Sequence, residues 1–146
     1  MPDYPHLTRA PASEPDWFEA LLNLARYLRG PEGCPWDRVQ TSADFARYMK
    51  GEAEELVQAM ASGDAAHAQE EFGDTFFTLL AVAAAAESEG RMNVVEALRA
   101  AHDKMIRRHQ HVFGDETAET PEDAVRIWEE VKRKEREAKG AEGSDA

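Results

Sequence analysis

Hydrophobic positions recur at helical spacing along almost the whole chain, and no run of four to eight residues alternates cleanly between turn residues. The pattern predicts an all-α fold, a helical bundle of five helices built on an antiparallel hairpin. Trp17, Leu21, Leu24 and Leu28 draw one stripe on a first helix that ends at Gly30, ahead of Pro31. Thr41 or Ser42 caps a second helix reaching about Ser62, and Ser62-Gly63-Asp64 turns tightly into a third. That third helix carries Phe72, Phe76, Leu79 and Leu80, then an alanine-rich stretch to Glu89-Gly90 that favours helix and permits close helix contact. Asn93 caps a fourth, with Val94, Leu98, Ala101 and Met105 on one face and an end before Phe113-Gly114. Thr120-Pro121-Glu122 starts a fifth, where only Ile127, Trp128 and Val131 are candidates for burial. Beyond Lys132 the charged sequence is expected to fray. The domain reading is therefore a proline-containing flexible segment over 1–15, one folded domain over 16–137 and a flexible tail over 138–146.

Length and charge narrow the function classes. With 146 residues the chain is the size of one ordinary domain. Its 29 acids against 17 bases leave a formal charge of -12, which disfavours a nucleic-acid polymer or an anionic membrane as partner. No run approaches the roughly 18 apolar residues of a membrane span, and residues 1–15 do not read as a signal peptide. The lone Cys34 cannot form an internal disulfide, so a cytoplasmic setting is expected. Apolar stripes in excess of what five helices cover predict a homodimer.

Charge order is the most informative feature. Gly51 to Gly90 contains no lysine or arginine but nine acids. Glu52 and Glu55 are three apart on the second helix, as are Glu71 and Asp74 on the third, so each pair projects from one side of its helix. About Gly63, Glu55 lies eight residues before the turn and Glu71 eight after, while Glu52 and Asp74 lie eleven before and eleven after. An antiparallel hairpin therefore puts all four at one level, where their mutual repulsion calls for a compensating cation. Carboxylates without histidine or cysteine select a hard ion, Mg²⁺ or as substitute Mn²⁺. A solvated acidic face is the alternative. Gly51 and Gly73, each one position before a candidate ligand, are read as allowing close helix approach.

The balance reverses after the hairpin. Arg91, Arg99, Lys104, Arg107 and Arg108 face only Glu96 and Asp103 between Arg91 and Phe113, and Lys104, Arg108 and His111 share one helical face. Such a stripe suits a polyphosphate, or equally complements a helix C-terminus. In the loop Cys34-Pro35-Trp36-Asp37, Trp36 could stack on a base and Gln40 bond its edge, although a core tryptophan is the commoner explanation. His67, His102, His109 and His111 lack an E-x-x-H partner and are read as surface or structural.

Cys34-Pro35-Trp36-Asp37 with Gln40-Thr41, Glu52-x-x-Glu55, Glu71-x-x-Asp74 and Lys104-Met-Ile-Arg-Arg-His-Gln-His-Val-Phe113 together resemble, in order and spacing over about residues 17 to 135, the MazG family of nucleoside triphosphate pyrophosphohydrolases. The resemblance implies an all-α NTP pyrophosphatase fold, assembled as a dimer or dimer of dimers, that uses Mg²⁺ to cleave an NTP or dNTP to NMP and pyrophosphate. Non-standard or oxidised nucleotides are among its candidate substrates, a house-cleaning role in the nucleotide pool. It further implies Glu52, Glu55, Glu71 and Asp74 as metal ligands, and Lys104 and Arg108 as phosphate contacts with Arg107 their neighbour. In the mechanism this permits, Glu52 or Glu55 accepts the water proton. Trp36 corresponds to an aromatic that packs on the base, and Trp128 matches a tryptophan of the following helix. Where two-domain members commonly read Glu-Glu-x-x-Glu, this chain reads Gly51-Glu52-x-x-Glu55, similar to the single-domain branch. The competing readings are a non-catalytic acidic helical adaptor and a nucleotide-binding regulator.

Overall fold

The computed structural model describes residues 11–144, with side chains to residue 141. Of the segment 1–15 expected to be flexible, residues 1–10 lie outside the described residues. The described residues form seven helices and no strand: α1 (Glu14–Leu28), α2 (Pro35–Val39), α3 (Ser42–Ser62), α4 (Ala65–Ser88), α5 (Val94–Arg108), α6 (Gln110–Phe113) and α7 (Pro121–Ser144). They divide into two compact units, Met1–Val94 and Val95–Ala146. None is long and apolar enough to cross a membrane.

In the first unit the hairpin forms as its sequence requires. Thr41 accepts from Asp44 N while the Asp44 carboxylate accepts from Thr41 N, a capping box opening α3. Gly63 closes the helix at φ 77, the left-handed conformation that costs glycine least. Asp64 then caps α4 by accepting from His67 N at 3.2 Å. At the open end of the hairpin, the Glu89 carboxylate accepts from Ser42 N at 2.9 Å and from Ser42 Oγ at 2.6 Å. The α3–α4 pair is thereby held at both ends.

The alanines of α4 do what their size allows: Ala81, Ala83, Ala84, Ala85 and Ala86 are all buried, and neighbouring helices close onto them. Leu22 and Ala25 of α1 pack with Leu80, Ala83, Ala84 and Val94, flanked by Phe18 and Leu21. The buried face of α1 is thus Phe18, Leu21, Leu22 and Ala25, the i, i+3, i+4, i+7 set, rather than the stripe headed by Trp17, which stays 50% exposed. A short aliphatic face fits an alanine groove better than a tryptophan does. A second cluster joins Phe45 to Ala81 and Ala85. Arg26 makes a two-point ion pair with Glu87 at 3.0 and 2.7 Å, worth at most about 1 kcal/mol at such exposure.

Three local expectations differ from the structure. The loop after Gly30 contains α2, started by Pro35 at its first turn with Asp37 beside it. The helix predicted from Asn93 to near Phe113 breaks at His109, after which α6 forms a separate turn. Beyond Lys132, where the sequence is expected to fray, α7 is helical to Ser144. Good helix formers and the i,i+4 pairs Arg133–Glu137 and Glu130–Lys134 sustain it. In the second unit Ile127 is buried and Trp128 and Val131 are partly so, whereas Leu98 and Met105 of α5 remain exposed.

Candidate active site

Phe45, Tyr48 and Glu52 stand at i, i+3 and i+7 of α3, so one helix face passes from aromatic to acid. Opposite, α4 supplies Glu71 and Asp74. The acids meet in two overlapping triplets: carboxylate oxygens of Glu52, Glu55 and Glu71 lie within 4.8 Å of one another, and so do those of Glu70, Glu71 and Asp74. Glu71 is common to both. The level expected from counting residues about Gly63 is realised on both helices, but as two triplets rather than one cluster of four, and it recruits Glu70, which the sequence pairing passed over.

The electrostatics are those of carboxylates held together without enough positive charge. Glu71 is 8% exposed. Its carboxyl is raised above the ordinary 4.5, first by burial, then by the charge of Glu55 and a hydrogen bond with it, then by Asp74. His67 works against this, its Nε2 lying 3.5 Å from Glu71 Oε1, so a histidine read as structural touches the acid cluster. Glu52 is raised for the same leading reason, burial, followed by Glu55, Asp74 and Glu71. One oxygen on each, Glu52 Oε2 and Glu71 Oε2, is buried without a hydrogen-bond partner. Unsatisfied buried carboxylate oxygens are costly, and a hard divalent cation is the ligand their chemistry fits. Gly51 and Gly73 serve no close approach, because a methyl group at either would meet nothing within 4 Å.

Beside Glu52 lies a pocket of about 210 Å³ lined by Trp36, Asp37, Phe45, Tyr48, Glu52, Phe77, Thr78 and Ala81. The Trp36 ring meets Phe45 edge-on at 6.0 Å and Tyr48 at 5.5 Å, and is itself 50% exposed. It is a wall, not a core residue. Tyr48, Phe77 and Thr78 were missed from sequence; the i, i+3, i+7 relation of Phe45, Tyr48 and Glu52 was the available signal. Gln40 lies outside this lining, with its Nε2 donating to the Trp36 carbonyl at 3.1 Å.

In the second unit, Arg107 Nε and Arg108 Nη2 donate to the two oxygens of Glu135 at 2.5 and 2.8 Å. The two guanidiniums hold Glu135 down to about 2. Arg108 also lies over the Trp128 ring at 5.0 Å. Lys104 stands one turn earlier on α5, partly buried. His111 does not share its helical face, because the break at His109 puts it on α6. The sequence reading did not single out Glu135, whose distance from the arginines along the chain hides the pairing.

Residues 40–113 match the model of the MazG nucleotide pyrophosphohydrolase domain, half of the chain. The chain belongs to the MazG family. YabN of Bacillus subtilis is 37% identical over 119 residues, covering 82% of this chain and 24% of its own length. An Escherichia coli K12 protein named nucleoside triphosphate pyrophosphohydrolase is 39% identical over 123 residues, covering 84% of this chain and 47% of that one. The chain thus spans between a quarter and half of these relatives. A MazG-related protein from Thermotoga maritima has a crystal structure that superposes with a TM-score of 0.67 at 31% identity, covering 79% of this chain and 98% of that one. The MazG match encloses both acid triplets, Tyr48 and the Lys104–Arg108 stretch, but not Trp36 or Glu135.

Proposed function

We propose that this MazG-family chain is an enzyme that hydrolyses a nucleoside triphosphate to the monophosphate and pyrophosphate, with Mg²⁺ held by Glu52, Glu55, Glu71 and Asp74. The observation that supports it is the pair of buried, partnerless oxygens on Glu52 and Glu71, facing other carboxylates beside an aromatic pocket. When bound, the cation neutralises polyphosphate charge and acidifies water. Mn²⁺ should substitute, being met by the same hard oxygen donors.

The protein's own groups do the remaining work. Water adds its oxygen to the α-phosphorus, the bond from that phosphorus to the β-bridging oxygen breaks, and pyrophosphate leaves with the electron pair. The water proton passes to a carboxylate oxygen of the Glu52–Glu55 pair. Trp36, Phe45 and Tyr48 take the nucleobase, whose flat face suits aromatic walls. Lys104, Arg107 and Arg108 contact phosphate, for the arginines in exchange with Glu135. The exposed Leu98 and Met105 stripe on α5 is covered by a second copy in a homodimer. The setting is the cytoplasm, where nucleotide pools, damaged nucleotides among them, are the supply.

The test is product analysis of the common NTPs and dNTPs, together with an oxidised dNTP, in the presence of Mg²⁺. Monophosphate and pyrophosphate are expected. Release of inorganic phosphate with a diphosphate, or undiminished turnover in Glu55→Ala, overturns the proposal.

A further inference from the structure

Arg29 follows the last residue of α1 and lines no part of the aromatic pocket, yet it is tied to the pocket from three directions. Its Nη1 donates to the carbonyls of Asp37 at 2.9 Å and Gln40 at 2.7 Å, at the C-terminal end of α2. Its Nη2 donates to Ser88 Oγ at the end of α4, at 3.3 Å. Its guanidinium carbon lies 6.0 Å from the centre of the Phe45 ring. A helix of five residues cannot satisfy its own last carbonyls, and it has little intrinsic stability. Trp36 is the second residue of that helix and is half exposed, so packing alone does not fix its ring.

We propose that Arg29 is the positioning residue for the Trp36 wall: its Nη1 holds the carbonyls of Asp37 and Gln40 at the end of α2, its Nη2 ties them to the end of α4, its plane braces Phe45, and together these set the width of the gap that receives a nucleobase. The two-nitrogen geometry matters. A lysine ammonium can donate to the carbonyls, but it has no second nitrogen to reach Ser88 at the same time and no planar group to lie over the Phe45 ring. The proposal rests on the nucleobase assignment made above.

The experiment compares Arg29→Lys and Arg29→Gln with Trp36→Ala as reference, using the best of the common NTPs and, as a substrate without a base, ribose 5-triphosphate. In the Arg29 variants KM for the NTP should rise about 5- to 20-fold with kcat within twofold, while KM for ribose 5-triphosphate stays within twofold. Amide exchange over residues 35–40 should quicken about tenfold with residues 45–59 unchanged. Equal losses on both substrates, or an unchanged KM for the NTP while Trp36→Ala raises it, overturn the role of Arg29 alone. An unchanged KM in Trp36→Ala overturns the nucleobase pocket itself, and with it this proposal. Loss of the cooperative melt in both Arg29 variants assigns the residue to the core and likewise overturns it.

Discussion

Replacing Phe45 with alanine separates the pocket from the acid cluster on one helix. Phe45 is 4% exposed, packs on Ala81 and Ala85, and meets Trp36 edge-on at 6.0 Å. Removing a buried phenyl ring costs about 3 to 5 kcal/mol through lost transfer energy and the cavity left behind. The edge-on Trp36 pair contributes about 1 kcal/mol toward the upper part of that range. With helices fixed at both ends the hole closes poorly, so about 4 kcal/mol is expected. For a chain of this size that is a fall in Tm of about 12 °C. Glu52 lies seven residues along α3, about 10 Å away, and its backbone should not move. Thermal melts with and without Mg²⁺, followed by NTP kinetics, read both effects. The rise in Tm on adding Mg²⁺ should survive while KM for the NTP climbs about tenfold or more. A loss of less than about 1 kcal/mol would refute the enclosure of Phe45, and disappearance of the Mg²⁺ response would refute the independence of pocket and acids.

Other outcomes follow from the same geometry. Glu71→Gln removes the acid common to both triplets, so the metal-free Tm should hold or rise while the Mg²⁺-dependent rise, an increment of RT ln(1 + [Mg²⁺]/Kd) in stability, shrinks in a titration by melting. Glu135 is held at about 2 against an ordinary 4.5, so its contribution is complete above 4.5 and lost as pH falls toward 2. Denaturant melts across that range should show Glu135→Gln less stable than wild type at neutral pH, the gap closing in acid; a constant gap contradicts the ion pairs. Gly51→Ala should stabilise by about 1 kcal/mol, since helix propensity improves and the new methyl meets nothing within 4 Å. A drop in Tm would mean that another surface packs there.

The hairpin was legible because its signals are local: a Thr41 cap, a glycine at Gly63, an Asp64 cap and alanines at helical spacing. The acid level followed by counting from the turn, since rise per residue is fixed. What counting could not supply was rotation about each helix axis. Small angular offsets decide that Glu70 joins Asp74 while Glu52 sits with Glu55, and that Leu22 rather than Trp17 faces the alanines. Helix α2 was missed because five residues carry too little periodicity, although Pro35 and Asp37 mark its first turn. Long-range partners left no trace at all. Glu135 with Arg107 and Arg108, and Arg29 with the carbonyls of α2, join positions whose relation exists only once the chain has folded.

The Glu89 clasp on Ser42 has a consequence for which ions the proposed metal site would accept. A helix pair joined only by its turn can splay like tweezers and adapt its jaw to whatever enters. Here the free tips are pinned as well, so the gap between the carboxylate-bearing backbones behaves as a fixed gauge and only side-chain torsions remain to take up a difference in ionic radius. Cutting the clasp with Glu89→Ala, which removes both acceptors, would loosen that gauge, and the preference for small ions over Ca²⁺ should weaken before affinity itself is lost.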